Sequence, residues 1–449
     1  MTSTSAVRVR PGRLRLAAAA LGLAALAACA PPAPPGAAGP AAGGCPPAPS
    51  QPVTVNLLAF SAPAIDPFAD GIAKGCSSVA NLTVNHAPVD FDAQLQKANL
   101  ALSSGAPGSY DIVEVYDSTL VQYASKGWLV PLDDYIAKYK DRYGLGDIPD
   151  ALFKEFSYDG KTYGVPNQQN VQILIYRKDV LDGLGIAPPK TYDELVAASD
   201  KIKAGAADQV KYPLAMAWGA DEAITNGFNN ALTGFGGGWF DPAGKATFDQ
   251  AAGVQAIDAM KKLYSYMPPE ALTFNNGNVA TLMQQGQVAM TVIWASRAGT
   301  ITDPNTSRVA DKIGFAPAPT GVTGNPPATQ WSQDGFAIAK NSGADPDLLF
   351  QLLAAGSTSP EVMRKAAPYA LVARTSVTSD AAAQQPNWPA ALSTIQDGAR
   401  SLPHLPFMQL TLTAVRPFLA DAVGGKREAQ DALTAATAEV AKQRQAQGL

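Results

Sequence analysis

Apolar and polar residues alternate over Val53-Thr54-Val55-Asn56-Leu57 and give way to the wholly apolar Leu58-Ala59-Phe60. This pattern predicts a buried strand that leads into the loop Ser61-Ala62-Pro63. From Phe91 the period changes. Phe91, Leu95, Ala98 and Leu102 lie on one face of an amphipathic helix, which Gly105-Ala106-Pro107-Gly108 stops. Ile112-Val113-Glu114-Val115-Tyr116 reads as a second strand, with Asp117-Ser118 capping the next helix. Further strands are predicted at Val171 to Tyr176, Gln287 to Trp294, Ile313 to Pro317 and Gly335 to Lys340. Thr191-Tyr192-Asp193-Glu194 is a capping box opening a helix to about Lys203, and Ile257 and Met260 mark a helical stripe from Val254 to Tyr264. From Asp345 onward the chain reads as mostly helical, with Gly424-Gly425 separating two C-terminal helices. Strands that alternate with helices predict an α/β fold with a largely parallel sheet, and no fixed-period repeat is present.

The first fifty residues follow another logic. Arg8, Arg10, Arg13 and Arg15 precede the apolar run Leu16 to Ala28, which is too short to span a bilayer and has the layout of an export signal (residues 1–28). It ends in Leu26-Ala27-Ala28-Cys29, which resembles the lipobox of bacterial lipoproteins and makes Cys29 the expected lipidation site. Residues 29–52 then form a Pro/Ala-rich tether; from Ala30 to Pro52 there are 9 Pro, 7 Ala and 4 Gly and no charge. In a polyproline conformation it would reach about 70 Å at roughly 3.1 Å per residue. Cys45 and Cys76 are then an even pair in an oxidising compartment. Both a disulfide that pins the tether and two free thiols remain open.

Composition narrows the function. The 449 residues are 47% hydrophobic and 16% charged, enough to build one or two compact units. Thirty-four basic against 38 acidic residues give a net charge of -4, and loss of residues 1–28 leaves 30 against 38, or -8. An acidic chain of this kind is not expected to bind nucleic acid. Only His86 and His404 occur, which excludes a multi-histidine metal site within the chain. Gly160-Lys161-Thr162 invites a phosphate-loop reading, but Glu155 stands where that motif needs Gly and a strand follows, so it is read as a turn. There is no G-x-S-x-G, S-x-x-K, H-E-x-x-H or Cys-x-x-Cys, and no metal or cofactor is expected.

Several segments in order resemble the extracellular solute-binding proteins of ABC importers, of the large carbohydrate-binding, maltose-binding-protein-like class. They are Gly127-Trp128-Leu129-Val130-Pro131-Leu132-Asp133, Tyr163-Gly164-Val165-Pro166 with Leu174-Ile175-Tyr176-Arg177-Lys178-Asp179, and Pro188-Pro189-Lys190-Thr191-Tyr192-Asp193-Glu194-Leu195. Gly286-Gln287-Val288-Ala289-Met290 and Ala429-Gln430-Asp431-Ala432-Leu433 complete the set. The resemblance runs from about 53 to 443. It implies a type II, two-lobed fold with discontinuous lobes, one of residues 53–168 plus 332–373 and the other of 169–331 plus 374–449. Crossings are expected near 167–171, 328–333 and 372–377. It implies capture of a sugar or polyol by a lipid-anchored monomer on the outer face of the cytoplasmic membrane and delivery to an ABC permease. Two departures stand out: many relatives have Asn in place of Arg177, and many carry a double Gly where this chain has Gln333-Asp334-Gly335.

Sugar capture needs flat aromatic faces for C–H groups and convergent polar groups for hydroxyls. Trp294, before Ala295-Ser296-Arg297, resembles a tryptophan at the matching family motif and is a candidate sugar-stacking face or a core residue; Trp218, Trp331 and the glycine-flanked Trp239 are candidates for the same two roles. Asp117 is either a hydroxyl acceptor or a helix cap, and Gln169 and Asn170 are either ligand amides at a crossing or solvated loop residues. Asp334 is a candidate ligand contact, and Arg374 in Ala373-Arg374-Thr375-Ser376 is expected to reach the ligand or tie the hinge. Another solute, such as a polyamine or peptide, is the alternative within this class. A secreted carbohydrate-active enzyme using a carboxylate pair is the contrasting class, and a structural lipoprotein that binds no small molecule is the third reading.

Overall fold

The computed structural model describes residues 44–448 except positions 106 and 221. The expected signal segment, Cys29 and the tether up to 43 lie outside the described residues. Among the described residues eleven strands occur: β1 (Val53–Leu58), β2 (Leu82–His86), β3 (Ile112–Tyr116), β4 (Ser157–Tyr158), β5 (Lys161–Thr162), β6 (Gly164–Arg177), β7 (Tyr212–Leu214), β8 (Val288–Trp294), β9 (Ile313–Ala316), β10 (Trp331–Ile338) and β11 (Leu371–Val372). Helices fill the intervals, as the change of period predicted; Phe91–Ser103 and Tyr192–Gly205 are two of them.

Nine strands join one sheet in the order β2-β1-β3-β10-β6-β8-β7, with β11 and β9 also on β6. β1 runs parallel to β2 and β3, and β7 parallel to β8. β10 is antiparallel to both β3 and β6, and β8, β9 and β11 are antiparallel to β6. The sheet is therefore mixed, not largely parallel. The reason is β6, which the apolar run placed at Val171 to Tyr176 but which begins at Gly164. At 14 residues it extends roughly 46 Å, at about 3.3 Å per residue. Its first half pairs with β10 as far as Val171↔Trp331, and from Gln172↔Trp294 onward it pairs with β8. One strand thus serves two sheet halves, and the polar stretch Asn167-Gln168-Gln169-Asn170 lies where the partners change. Polarity hid this stretch from the apolar pattern.

Two local features resolve questions raised by the sequence. Asp159 (φ 49°) and Gly160 (φ 72°) form the two-residue turn of the β4–β5 hairpin, so Gly160-Lys161-Thr162 is a turn, as expected. In β10 the register shifts between Asp334 and Gly335. A Cβ on Gly335 would lie 2.5 Å from the Val165 carbonyl oxygen and 2.9 Å from the Phe156 ring, so this position must be glycine, whereas Asp334 lines the cleft and its side chain pairs with Gln168.

Residues 44–52, expected to belong to the tether, are held on the body. Cys45 and Cys76 form a disulfide with Cα atoms 5.6 Å apart. Arg142 Nη2 donates to the Cys45 carbonyl at 2.9 Å, and Asn81 Nδ2 donates to the Pro49 carbonyl at 3.0 Å. Residues 44–52 are therefore a strap held on the body, a cross-link that composition alone left open. Arg177 is buried and forms a bidentate pair with Asp179 at 2.7 and 2.6 Å, so this departure from the family pattern has a structural role.

Candidate functional site

The carboxyl ends of parallel strands are where open α/β sheets place ligands, because the loops leaving them diverge around a crevice. Here β1 runs into the loop from Phe60 to Ile65, β3 ends at Tyr116, and β8 ends at Trp294 before Ser296 and Arg297. Together with Asn170 of β6, Ser332 and Asp334 of β10 and the start of helix Asn276–Gln284, these ends line a cleft of about 600 Å³. That volume is typical of small-molecule sites.

The lining combines aromatic faces with neutral hydrogen-bonding groups. Phe60, Phe91 and Tyr116 form one cluster, with ring centroids 5.4 Å (Phe60–Phe91) and 5.2 Å (Phe91–Tyr116) apart, and Trp294 supplies an indole from the other sheet half. Asn170 Nδ2 donates to Ser296 Oγ at 3.0 Å, which joins β6 to the loop after β8 across the strand junction. Gln168 Nε2 donates to Asp334 at 2.5 Å. The buried side-chain amide oxygens of Gln168 and Gln330 have no hydrogen-bond partner among the described residues, although both residues line the cleft. Buried polar atoms of this kind are normally satisfied, and here a hydroxyl in the cleft can do so.

The charged lining residues are Asp90, Asp92, Asp334 and Arg297. Asp90 caps helix Phe91–Ser103 by accepting from the Ala93 amide at 2.7 Å. Arg297 has no ion-pair or hydrogen-bond partner among the described residues, and its burial lowers its pKa. Behind the wall, Glu114 accepts the Phe60 amide at 2.9 Å and so fixes the entry of the Phe60 loop. Burial, reinforced by the charge of Asp334, pushes the Glu114 carboxyl well above the usual carboxylate range.

The structure sorts the residues singled out by sequence. Trp294, Asn170 and Asp334 line the cleft. Trp218 and Trp239 are not in the cleft lining: they are 3% and 2% exposed, in the apolar core with Phe228 and Phe248, although Trp218 borders a small cavity that shares Trp294, Asn226 and Asn276 with the cleft. The Trp239 indole donates to Asn229 Oδ1 at 2.8 Å and stands edge-on to Phe228. Gln169 and Trp331 pair with each other at 3.0 Å, which leaves both outside the cleft lining. Arg374, 4% exposed, is a clamp and not a ligand contact: it donates to the carbonyls of Tyr143, Gly144 and Thr358 and pairs with Asp147 at 3.5 Å.

Asp117 is the first residue of its helix, Tyr116 being the cap, and it is fully buried one layer behind the cleft wall. Ser332, which lines the cleft, donates to it at 3.1 Å. Burial pushes its carboxyl up to about 7, His404 opposing and Glu155 adding to the shift. His404 lies 3.1 Å from Glu155, and that hydrogen bond raises the imidazole pKa. Burial raises Glu155, but the His404 and Ser401 hydrogen bonds outweigh it and hold its pKa below the usual value.

Sequence reasoning missed Gln168, Gln330, Arg297, Asn275, Asn276 and the Phe60–Phe91–Tyr116 cluster. Arg297 was legible as the third residue after Trp294. The aromatic cluster was read only as parts of two strands and a helix face, since nothing in one dimension shows that three elements end together.

The fold and cleft define a two-lobed periplasmic binding protein of the solute-binding class. The profile of the bacterial extracellular solute-binding protein family matches residues 80–361, and the chain belongs to that family. It is 26% identical over 373 residues to a Sinorhizobium fredii protein named "probable amino-acid ABC transporter periplasmic-binding protein", covering 78% of this chain and 79% of that one. It is 30% identical over 228 residues to the mannitol-binding protein of Pseudomonas aeruginosa, about half of each chain. Among solved structures, an ABC transporter solute-binding protein of Agrobacterium radiobacter in complex with ribitol shares the fold at a TM-score of 0.76 and 23% identity, over 88% of this chain and 99% of that one.

Proposed function

We propose that this protein is the lipid-anchored receptor of an ABC importer on the outer face of the cytoplasmic membrane, capturing a sugar or polyol and delivering it to the permease subunits. The observation that carries the reading is the cleft itself. Its aromatic faces suit C–H surfaces, and its amides and hydroxyls both donate and accept, as a polyhydroxylated solute requires. Mannitol binding by the Pseudomonas relative and ribitol in the Agrobacterium structure support that solute class. Trp294 is the proposed stacking platform, with Asn170, Ser296, Gln330 and Asp334 as hydroxyl partners.

The lobes are taken as residues 53–168 plus 332–373 and 169–331 plus 374–449. Closure between them stabilises bound solute only if the solute contacts both, which the placement of Tyr116 and Trp294 on separate sheet halves supports. Cys29 is the proposed lipid attachment site, and the working unit is taken as a monomer without cofactor. The reading is a binder and not an enzyme. Asp117 and Glu155, whose carboxylate oxygens lie within 4.8 Å of each other, are not among the residues that line the cleft.

A second reading has its own observation. Arg297 is unpaired, while Asp92 and Asp334 share the same cleft, an arrangement that suits a zwitterionic solute such as an amino acid. The test is thermal unfolding against a panel of polyols, mono- and oligosaccharides, amino acids, polyamines and short peptides. Solute at 100 times its Kd stabilises by about 2.7 kcal/mol. With an unfolding entropy of about 2.1 cal/mol/K per residue over roughly 400 residues, the midpoint rises by about 3 °C. A rise with polyols or sugars alone supports the first reading, and a rise with amino acids alone replaces it by the second.

A further inference from the structure

Three side chains from distant parts of the sequence meet behind the cleft wall. Asp117 begins the helix after β3, Glu155 ends helix Asp150–Glu155, and His404 lies in the loop before helix Met408–Val423. One donor atom from each lies within 4.8 Å of the other two. Asp117 is fully buried and its Oδ2 has no hydrogen-bond partner among the described residues, a costly state for a carboxylate oxygen. The His404 Nε2 to Glu155 Oε2 separation of 3.1 Å is already close to the roughly 3.3 Å between two ligands on a tetrahedral ion with bonds of about 2.0–2.1 Å. Ser332 and Ser401 donate to Asp117 and Glu155 at 3.1 and 2.6 Å and orient the carboxylates, as outer partners of metal ligands do. The Glu155 and His404 side chains keep 18% and 30% of their surface, while the His404 Nε2 atom itself is buried beside Asp117.

Charge balance selects the occupant. Two carboxylates and a neutral imidazole carry a formal charge of -2, which a divalent cation cancels. One imidazole nitrogen with two carboxylate oxygens suits zinc and its first-row neighbours, whereas calcium and magnesium prefer oxygen-only cages. We propose that Asp117, Glu155 and His404 form a divalent metal site of the zinc class, which ties the loop carrying His404 to the helices carrying Asp117 and Glu155 beside the solute cleft. Ser332 touches both the site and the cleft, and Leu402 of the same loop lines the cleft, so the metal braces part of the cleft wall. The site is independent of which solute the cleft takes.

The test uses the full chain in mild detergent, stripped with a chelator and then supplied with zinc chloride. One zinc per chain is expected to survive gel filtration, and the unfolding midpoint is expected to rise by several degrees. Asp117→Asn and His404→Gln should each weaken zinc binding at least 100-fold, and Ser332→Ala about 10-fold. The other histidine provides the control: His86→Gln should bind zinc like the parent. Circular dichroism and metal-free melting show that each variant is folded, and Glu155→Gln replaces Asp117→Asn if the latter is not. Absence of retained zinc, retention undiminished by Asp117→Asn and His404→Gln, or loss caused by His86→Gln overturns the proposal.

Discussion

Replacing Trp294 and Trp239 separately by alanine divides binding from stability, because one indole faces the cleft and the other is sealed in the core. Trp294 lies only partly buried at the end of β8, so truncation removes a contact surface for solute and leaves little void. Loss of a central aromatic anchor typically costs about 2 kcal/mol or more, which is about 30-fold in Kd. Trp239 is 2% exposed and packs on Phe228 and Phe248 with centroids 5.4 Å away in each case. Its removal should cost about 3–5 kcal/mol for the side chain and its cavity, with a further contribution because Asn229 Oδ1 loses its donor. At roughly 0.85 kcal/mol/K for the whole unfolding entropy, the midpoint falls by about 4–6 °C. Calorimetric titration with the best solute from the panel, alongside thermal melts of both variants, measures the two effects. Trp294→Ala should bind about 30-fold more weakly while melting near the parent; Trp239→Ala should melt lower and bind normally at a temperature where it is folded. Binding by Trp294→Ala within about threefold of the parent would refute the assignment of the indole as a platform.

Other expectations follow from the same geometry. Arg374→Met leaves the carbonyls of Tyr143, Gly144 and Thr358 without their shared donor and should destabilise by about 3–5 kcal/mol, seen as a lower urea midpoint, whereas a surface charge would shift it by under 0.5 kcal/mol. The Cys45→Ser/Cys76→Ser double variant opens a cross-link with a sequence separation of 31, for which chain entropy predicts a loss of about 3.7 kcal/mol. A shift of about 4 °C in the melt is expected, and reduction of the parent protein should reproduce it. Glu114 holds its proton longer in the folded than in the unfolded chain, so its contribution to stability declines as pH rises from the unfolded carboxylate pKa toward the raised folded one. Glu114→Gln should therefore gain stability relative to the parent across that interval, and a difference in melting midpoint that stays flat from pH 4 to 8 would contradict the assignment.

Periodicity alone located several elements, since burial of one face is a local property written into spacing, but it missed short strands such as Leu82–His86 and Tyr212–Leu214 and helices such as Glu222–Gly234. Ile112–Tyr116 matches its strand, Tyr192–Gly205 follows its Thr191 cap, and helices Met408–Val423 and Ala429–Ala446 flank the predicted glycine break. The motif order from Gly127 to Leu433 was enough to indicate the family and the two-lobed fold. What sequence could not supply was any decision that depends on which residues meet. Only Trp294 was set apart in one dimension, by its motif, while Trp218, Trp239 and Trp331 could not be sorted; in the structure Trp294 reaches the cleft, Trp239 is core and Trp331 is engaged by Gln169. Arg374 satisfies carbonyls more than 200 residues away as well as near ones. The Cys45–Cys76 link, the double pairing of β6 and the meeting of Asp117, Glu155 and His404 are likewise long-range. A chain's hydrophobic pattern fixes which faces must be buried, but the partner across each face is set by the closure of the whole sheet, and that is a tertiary fact.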